Sequence, residues 1–362
     1  MANSTQPTLP GEQLRQEYAK DKSHHLKNGK FSNPWPSFTL PPSRKFFMHI
    51  VTEQLRNPAG ASVKEGRAPE VVSLDHELIT KPATAVQLTW LGHASLLVQL
   101  DGATILCDPV FSQRCSPSQL FGPKRYTKAP CIVQDLPHID VLVLSHNHYD
   151  HLDWNTLKGV AAKYPEIKVF APLGNKDILE SLGFKDVSIA DWWDEFRVPI
   201  GGGELKLACT PAQHMTGRGV LDRMATLWSS WVFQGPSGHS FFFSGDTAYS
   251  AAAHDNPSKA ECPVFKQIGQ VYGPFDLAAI AIGAYGPEEM FGAMHVNPEQ
   301  AVRIHEDIGS RKSVGIHWGT FILTSEPVDE PPRRLLAAMR EAGHSVEDFS
   351  VLKIGQTTSG AL

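Results

Sequence analysis

Six residues in the middle of the chain, His146-Asn147-His148-Tyr149-Asp150-His151, carry three imidazoles and a carboxylate immediately after the apolar run Val141–Leu144. Such a run reads as a buried strand, so the polar groups leave the strand at its end. Imidazole nitrogen and carboxylate oxygen are the donors that zinc, manganese and iron accept. Ligands at the alternate positions 146 and 148, and adjacent ones at 150 and 151, can be aimed by one loop at two neighbouring ions. A chain that uses them must fold so that other strand ends meet this loop. Three further strand ends carry a suitable group: Thr210-Pro211-Ala212-Gln213-His214, Phe243-Ser244-Gly245-Asp246 and Ile316-His317-Trp318. Alone, each reads as a satisfied structural residue; beside the first cluster they complete a set of seven ligands, His146, His148, Asp150, His151, His214, Asp246 and His317.

The chain divides near residue 82. Residues 1–82 are rich in Pro, Lys and His and weakly periodic, which reads as an irregular arm. Asn33-Pro34-Trp35-Pro36 marks extended backbone, since proline disfavours helix at the residue before it. A short helix over residues 44–55 would put Phe46, Phe47, Ile50 and Val51 on one apolar face, either a strap on the body or, with basic flanks, a membrane-docking segment. Residues 83–362 alternate short apolar runs with helical patterns, the order of a layered α/β domain with helices outside its sheets. Strands are expected at Val86–Trp90, Ser95–Leu100, Thr104–Cys107, Val141–Leu144, Leu205–Thr210, Ser240–Phe243, Leu277–Ile282 and Ser313–Ile316. Helices are expected at 155–163, 176–182 and 332–342, and from an Asn297 cap with Pro298 in the first turn to about Ile308. No internal repeat is visible.

Several classes are excluded or disfavoured. With 33 basic and 38 acidic residues in 362 the formal charge is −5, against the basic excess of a nucleic-acid binder. No apolar run approaches the roughly 18 residues of a membrane-spanning helix. Five cysteines without a CxxC pair, and an opening without a secretory pattern, lead us to expect a reduced intracellular compartment. There is no GxSxG elbow and no phosphate-binding Gly-rich Lys loop. The one start of an HxKxxxxD motif, His25-Leu26-Lys27, has Ser32 in place of its Asp. Hydrolysis by this chain would have to be metal chemistry.

The order HxHxDH, lone His, lone Asp, final His resembles the metallo-β-lactamase superfamily. Within it the chain is similar to the N-acylphosphatidylethanolamine-hydrolysing phospholipase D family. The blocks that carry the likeness include Asn33-Pro34-Trp35-Pro36, Thr89-Trp90-Leu91-Gly92-His93-Ala94, Gly122-Pro123-Lys124-Arg125, Pro211-Ala212-Gln213-His214, Gly273-Pro274-Phe275-Asp276 and His317-Trp318-Gly319-Thr320-Phe321. The resemblance implies an α/β fold, a metallo-β-lactamase αββα sandwich with an N-terminal extension. It implies two Zn2+ (or another divalent metal), one on His146, His148 and His214, the other on Asp150, His151 and His317, with Asp246 between them. Asp108 would orient a ligand imidazole, and His93 would lie behind the ligands. Asp246, Asp150 and His295 would act in catalysis; Gln119, Leu120, Tyr149, Trp154, Met294, His295 and His305 would face substrate, His305 being equally readable as a buried structural histidine.

The reaction so implied is phosphodiester hydrolysis of N-acylphosphatidylethanolamine by a metal-bridging hydroxide, giving N-acylethanolamine and phosphatidic acid. The partner would be phospholipid at a membrane surface, with no nucleic acid and a homodimer expected. The location would be cytosolic or peripheral to a membrane, the mitochondrial one included. Leu120, Trp154 and Met294 stand where the family pattern leads us to expect polar residues, so another ester, lactone or phosphodiester is the alternative substrate. A non-catalytic lipid-binding protein is the remaining rival.

Overall fold

The computed structural model describes residues 11–40, 58–219, 221–250 and 261–360. The helix expected over residues 44–55, with its docking face, lies outside them. The element order is α1 (Gly11–Lys20), α2 (Pro58–Lys64), α3 (His76–Thr80), β1 (Val86–Gly92), β2 (Ser95–Leu100), β3 (Ala103–Cys107), β4 (Val141–Val143), α4 (Trp154–Lys163), β5 (Lys168–Pro172), α5 (Lys176–Ser181), β6 (Asp186–Ala190), β7 (Glu195–Ile200), β8 (Gly203–Thr210), β9 (Ser230–Gln234), β10 (Ser240–Phe243), α6 (Val264–Tyr272), β11 (Leu277–Ala281), α7 (Glu288–Phe291), α8 (Pro298–Asp307), β12 (Ser313–Ile316), α9 (Glu330–Glu341), β13 (Phe349–Ser350) and β14 (Thr357–Ser359).

The strands form two seven-stranded sheets, ordered β14-β1-β2-β3-β4-β5-β6 and β13-β12-β11-β10-β9-β8-β7. Each has one plan: an antiparallel meander (β1-β2-β3; β8-β9-β10) followed by three strands parallel to its last member (β4, β5, β6; β11, β12, β13). The repeat is one of topology and leaves no repeat in the sequence.

Side-chain alternation explains the layering. Leu96, Val98, Ile105, Cys107, Val141 and Val143 point between the sheets and share one core with Trp231, Phe233, Phe241 and Phe243. Their neighbours Leu97, Leu106 and Leu142 point the other way and pack with Leu157, Val160 and Leu179 of α4 and α5. The first 82 residues contribute to both layers, through Phe31 to the inter-sheet core and through Leu74 and Ile79 to the outer one. Asn297 caps α8 as expected, its side chain accepting from Gln300 N. All five cysteines are buried and unpaired. No helix among the described residues is long and apolar enough to cross a membrane.

Helix α6 was not expected, and its sequence shows why. Gly269 weakens helical propensity in a nine-residue segment that also holds Val264 and Val271. A Cβ at Gly269 would fall 2.2 Å from the Asp307 carbonyl, so the glycine lets α6 lie directly on the end of α8.

Candidate metal centre

Parallel strands put their C-terminal ends on one edge, and side chains just past those ends converge. Asp108 follows β3, the 145–151 loop follows β4, His214 follows β8, Asp246 follows β10 and His317 follows β12. Asp108, His317 and His93 (in the β1–β2 turn) have left-handed backbone, with φ of 40°, 63° and 51°. Non-glycine residues adopt that conformation at a cost, and here it turns three side chains back toward the edge. Gly245 also has positive φ (55°), and a Cβ there would lie 2.6 Å from that of Ser145. Only glycine lets Asp246 approach the 145–151 loop this closely.

The seven expected ligands fall into two contiguous groups. His146, His148, His214 and Asp246 form one, with His146 Nε2 2.9 Å and His214 Nε2 3.3 Å from His148 Nδ1. Asp150, His151 and His317 form the other, joined by His93. Asp246 touches both. Its Oδ2 lies 3.5 Å from His214 Nε2 and 3.2 Å from His151 Nε2, and its Oδ1 lies 3.0 Å from His317 Nε2.

Two partners fix the rings. Asp108 Oδ2 takes His151 Nδ1 at 2.6 Å and the Ser145 hydroxyl at 2.5 Å, turning His151 Nε2 inward. The Met294 carbonyl accepts from His214 Nδ1 at 2.8 Å, with the same effect. Met294 therefore acts here through its main chain, which no side-chain pattern could reveal. Ser145 was likewise missed; its hydroxyl also meets His146 Nδ1 at 2.9 Å. Four tryptophans donate to carbonyls around the centre: Trp90 to His93, Trp228 to Ala212, Trp231 to Leu144 and Trp318 to Gly315.

The electrostatics suit a cation. Burial holds His146 and His214 well below the ordinary imidazole range and lowers His148, so these rings are neutral donors. Burial opposes ionisation of Asp150 and Asp246, yet His151 and its neighbours keep both carboxyls well below their usual value. Burial also opposes charge on His317, but Asp246 and Asp150 raise it to about 9. A field that draws protons onto a buried imidazole favours positive charge at that spot. His151 Nε2, His317 Nε2 and Asp246 Oδ1 are buried and none makes a well-directed hydrogen bond, although His317 Nε2 and Asp246 Oδ1 lie 3.0 Å apart. Inward-facing orphans of this kind fit divalent-metal ligation.

The other expected residues divide. His295 joins the centre, its ring 5.3 Å from that of His317 and 5.1 Å from that of His214. His93 Nε2 lies 2.9 Å from Asp150 Oδ2. Tyr149 and Trp154 flank Arg218, whose guanidinium lies 3.8 Å and 5.2 Å from their rings. Gln119 spends its amide on Arg114 main chain, and Leu120 is 77% exposed at a loop tip. His305 corrects the expectation of a substrate contact. Its Nδ1 meets Ser313 Oγ at 2.8 Å and its ring stacks on Phe349. Ser313 opens β12 whereas His317 follows it, roughly 13 Å away by strand rise, so α8 carries His305 to the opposite end.

A family model described as a beta-lactamase superfamily domain matches residues 103–318. A Caenorhabditis elegans protein named N-acyl-phosphatidylethanolamine-hydrolyzing phospholipase D 1 is 35% identical over 94% of this chain and 93% of its own length. The chain belongs to the N-acylphosphatidylethanolamine-hydrolysing phospholipase D family. It is thereby a hydrolase of the β-lactamase superfamily, and its paired His/Asp groups suit divalent cations. A Saccharomyces cerevisiae member of the phospholipase D family, named as mitochondrial, is 33% identical over 68% of this chain and 50% of its own. Among solved structures, isothiocyanate hydrolase from Delia radicum gut bacteria superposes with a TM-score of 0.57 at 18% identity, over 76% of this chain and 99% of that one. That likeness concerns the fold, a metallo-β-lactamase αββα sandwich with an N-terminal extension.

Proposed function

We propose that the chain hydrolyses the phosphodiester of N-acylphosphatidylethanolamine, releasing N-acylethanolamine and leaving phosphatidic acid. The observation that carries this reading is Asp246 lying between two groups of buried donors. His146, His148 and His214 would hold one divalent cation and Asp150, His151 and His317 the other, a nitrogen and oxygen donor set that zinc, manganese and iron all accept; zinc is taken from the family resemblance. Cations held there would supply a hydroxide at neutral pH and neutralise phosphate oxygens where charge builds. We place the proton of the attacking hydroxide on the Asp246 carboxylate, which its imidazole neighbours keep ionised beforehand, and Asp246 then passes it to the leaving oxygen. His295, partly exposed beside His317, is positioned to meet the substrate phosphate. The names of the worm and yeast relatives support the headgroup assignment.

Lipid would reach the centre at a membrane surface. The loop after β3 ends in Leu120 and Phe121, 77% and 75% exposed, with Lys124 and Lys128 exposed nearby. Apolar tips with basic flanks suit an anionic interface.

The test is product analysis by mass spectrometry after incubating the zinc-loaded protein with mixed N-acylphosphatidylethanolamine and phosphatidylcholine vesicles. N-acylethanolamine and phosphatidic acid should appear in equal amounts and vanish with chelator. Free fatty acid with a lysolipid, or turnover of a lactone alone, would replace this reading by the other ester hydrolase. Chelator-sensitive folding without turnover on any of them would make it a binding protein.

A further inference from the structure

The Asn33-Pro34-Trp35-Pro36 block has no part in the chemistry above, yet it reaches the centre. Across 181 residues of sequence, the Asn33 amide closes on the main chain of His214 at both ends. Its Nδ2 donates to the His214 carbonyl at 2.7 Å, and its Oδ1 accepts from the His214 N–H at 3.2 Å. His214 follows β8 outside regular structure, and these are the main-chain hydrogen bonds described for it. A few residues on, buried Ser37 donates to Gln213 Oε1 at 2.5 Å. The Met294 carbonyl sets the His214 ring and Asn33 sets the backbone that carries it.

The segment is built to transmit position. Pro34 and Pro36 fix their own φ and stiffen the link between Asn33 and Ser37. Trp35 stacks on Trp192 (5.3 Å, 16°), which also stacks on His24 (4.1 Å, 25°). Next to Trp192, Asp191 accepts from Lys22, His24 and His25 at 2.7, 2.7 and 2.9 Å. The arm is thus tethered at one end and reaches the candidate ligand at the other.

We propose that Asn33 is a positioning residue that holds His214 in place for the His146–His148–His214 cation. This rests on the reading that His214 is a ligand. Partners that orient a ligand are worth 10–100-fold in metal affinity when removed.

The test measures zinc affinity by chelator competition, and the Co2+ absorption spectrum, of the full chain. Asn33→Ala and Asn33→Asp should each weaken one of two cations by 10–100-fold, alter its part of the Co2+ spectrum and leave the other cation in place. Asn33→Asp keeps the size and the acceptor but loses the donor, so it carries the test should the alanine variant not fold. Lys30→Ala, which removes arm contacts to the Leu221 and Arg223 carbonyls, should bind both cations as the wild type does. Unchanged affinities in the Asn33 variants, an equal loss in Lys30→Ala, or a parallel loss of both cations would overturn the proposal. A His214→Ala protein that still binds two cations normally would instead show that the ligand assignment beneath it is wrong.

Discussion

The indole nitrogen of Trp231, in the second sheet, donates to the carbonyl of Leu144, just past the end of β4 in the first, 3.0 Å away. Leu144 is the last residue before the loop that carries the candidate ligands, so a tryptophan fully buried in the core fixes where that loop begins. Trp231→Phe keeps an aromatic ring but orphans the carbonyl and leaves a small void. We expect a loss of about 2–4 kcal/mol in urea unfolding. A change below about 0.5 kcal/mol would show that the indole hydrogen bond contributes little.

Gly245→Ala should be worse for the centre than for the fold. The residue has positive φ, and its Cβ would collide with Ser145. We expect at least ~2 kcal/mol of destabilisation together with metal content well below that of the wild type, measured by elemental analysis of the folded protein. Full metal occupancy in this variant would mean that Asp246 can approach the loop by another route.

The tether at Asp191 predicts acid sensitivity. Although burial opposes it, hydrogen bonds from His24 and Lys22 hold the Asp191 carboxyl well below its ordinary 3.8. A depressed folded value means that the stabilisation is full above that ordinary value and is lost as pH falls below about 4. The gap in unfolding temperature between wild type and Asp191→Asn should hold level above about pH 5 and narrow below pH 4. A gap independent of pH would assign the effect to packing.

Leu120→Ser/Phe121→Ser tests the route to lipid. Both side chains lie at a solvent-exposed tip, so the fold should tolerate the change within about 0.5 kcal/mol. Co-sedimentation with anionic vesicles should fall several-fold while hydrolysis of substrate in detergent micelles is retained. Vesicle binding equal to that of the wild type would remove this loop from the interface.

What the sequence made legible follows from how local each signal is. The 146–151 cluster is contiguous, and the apolar runs before His214, Asp246 and His317 mark strand ends by their own pattern. Asn297 before Pro298 marks a helix start in the same way. By contrast, Gly269 reads as a helix breaker until α8 is seen lying on it. His305 sits in a helix whose apolar face is clear but whose end of the sheet is not. Asn33 and the Met294 carbonyl act on His214 from far along the chain, through contacts that neither spacing nor residue type announces.

The shared plan of the two sheets bears on how the protein matures. Each trio of imidazoles and acids draws on both sheets: His146 and His148 need His214, and Asp150 and His151 need His317. On that reading neither sheet completes a trio alone: a nascent polypeptide must emerge past His214 for the first and past His317 for the second before the sandwich can shut on both. An ion captured then would act as a rivet across the seam.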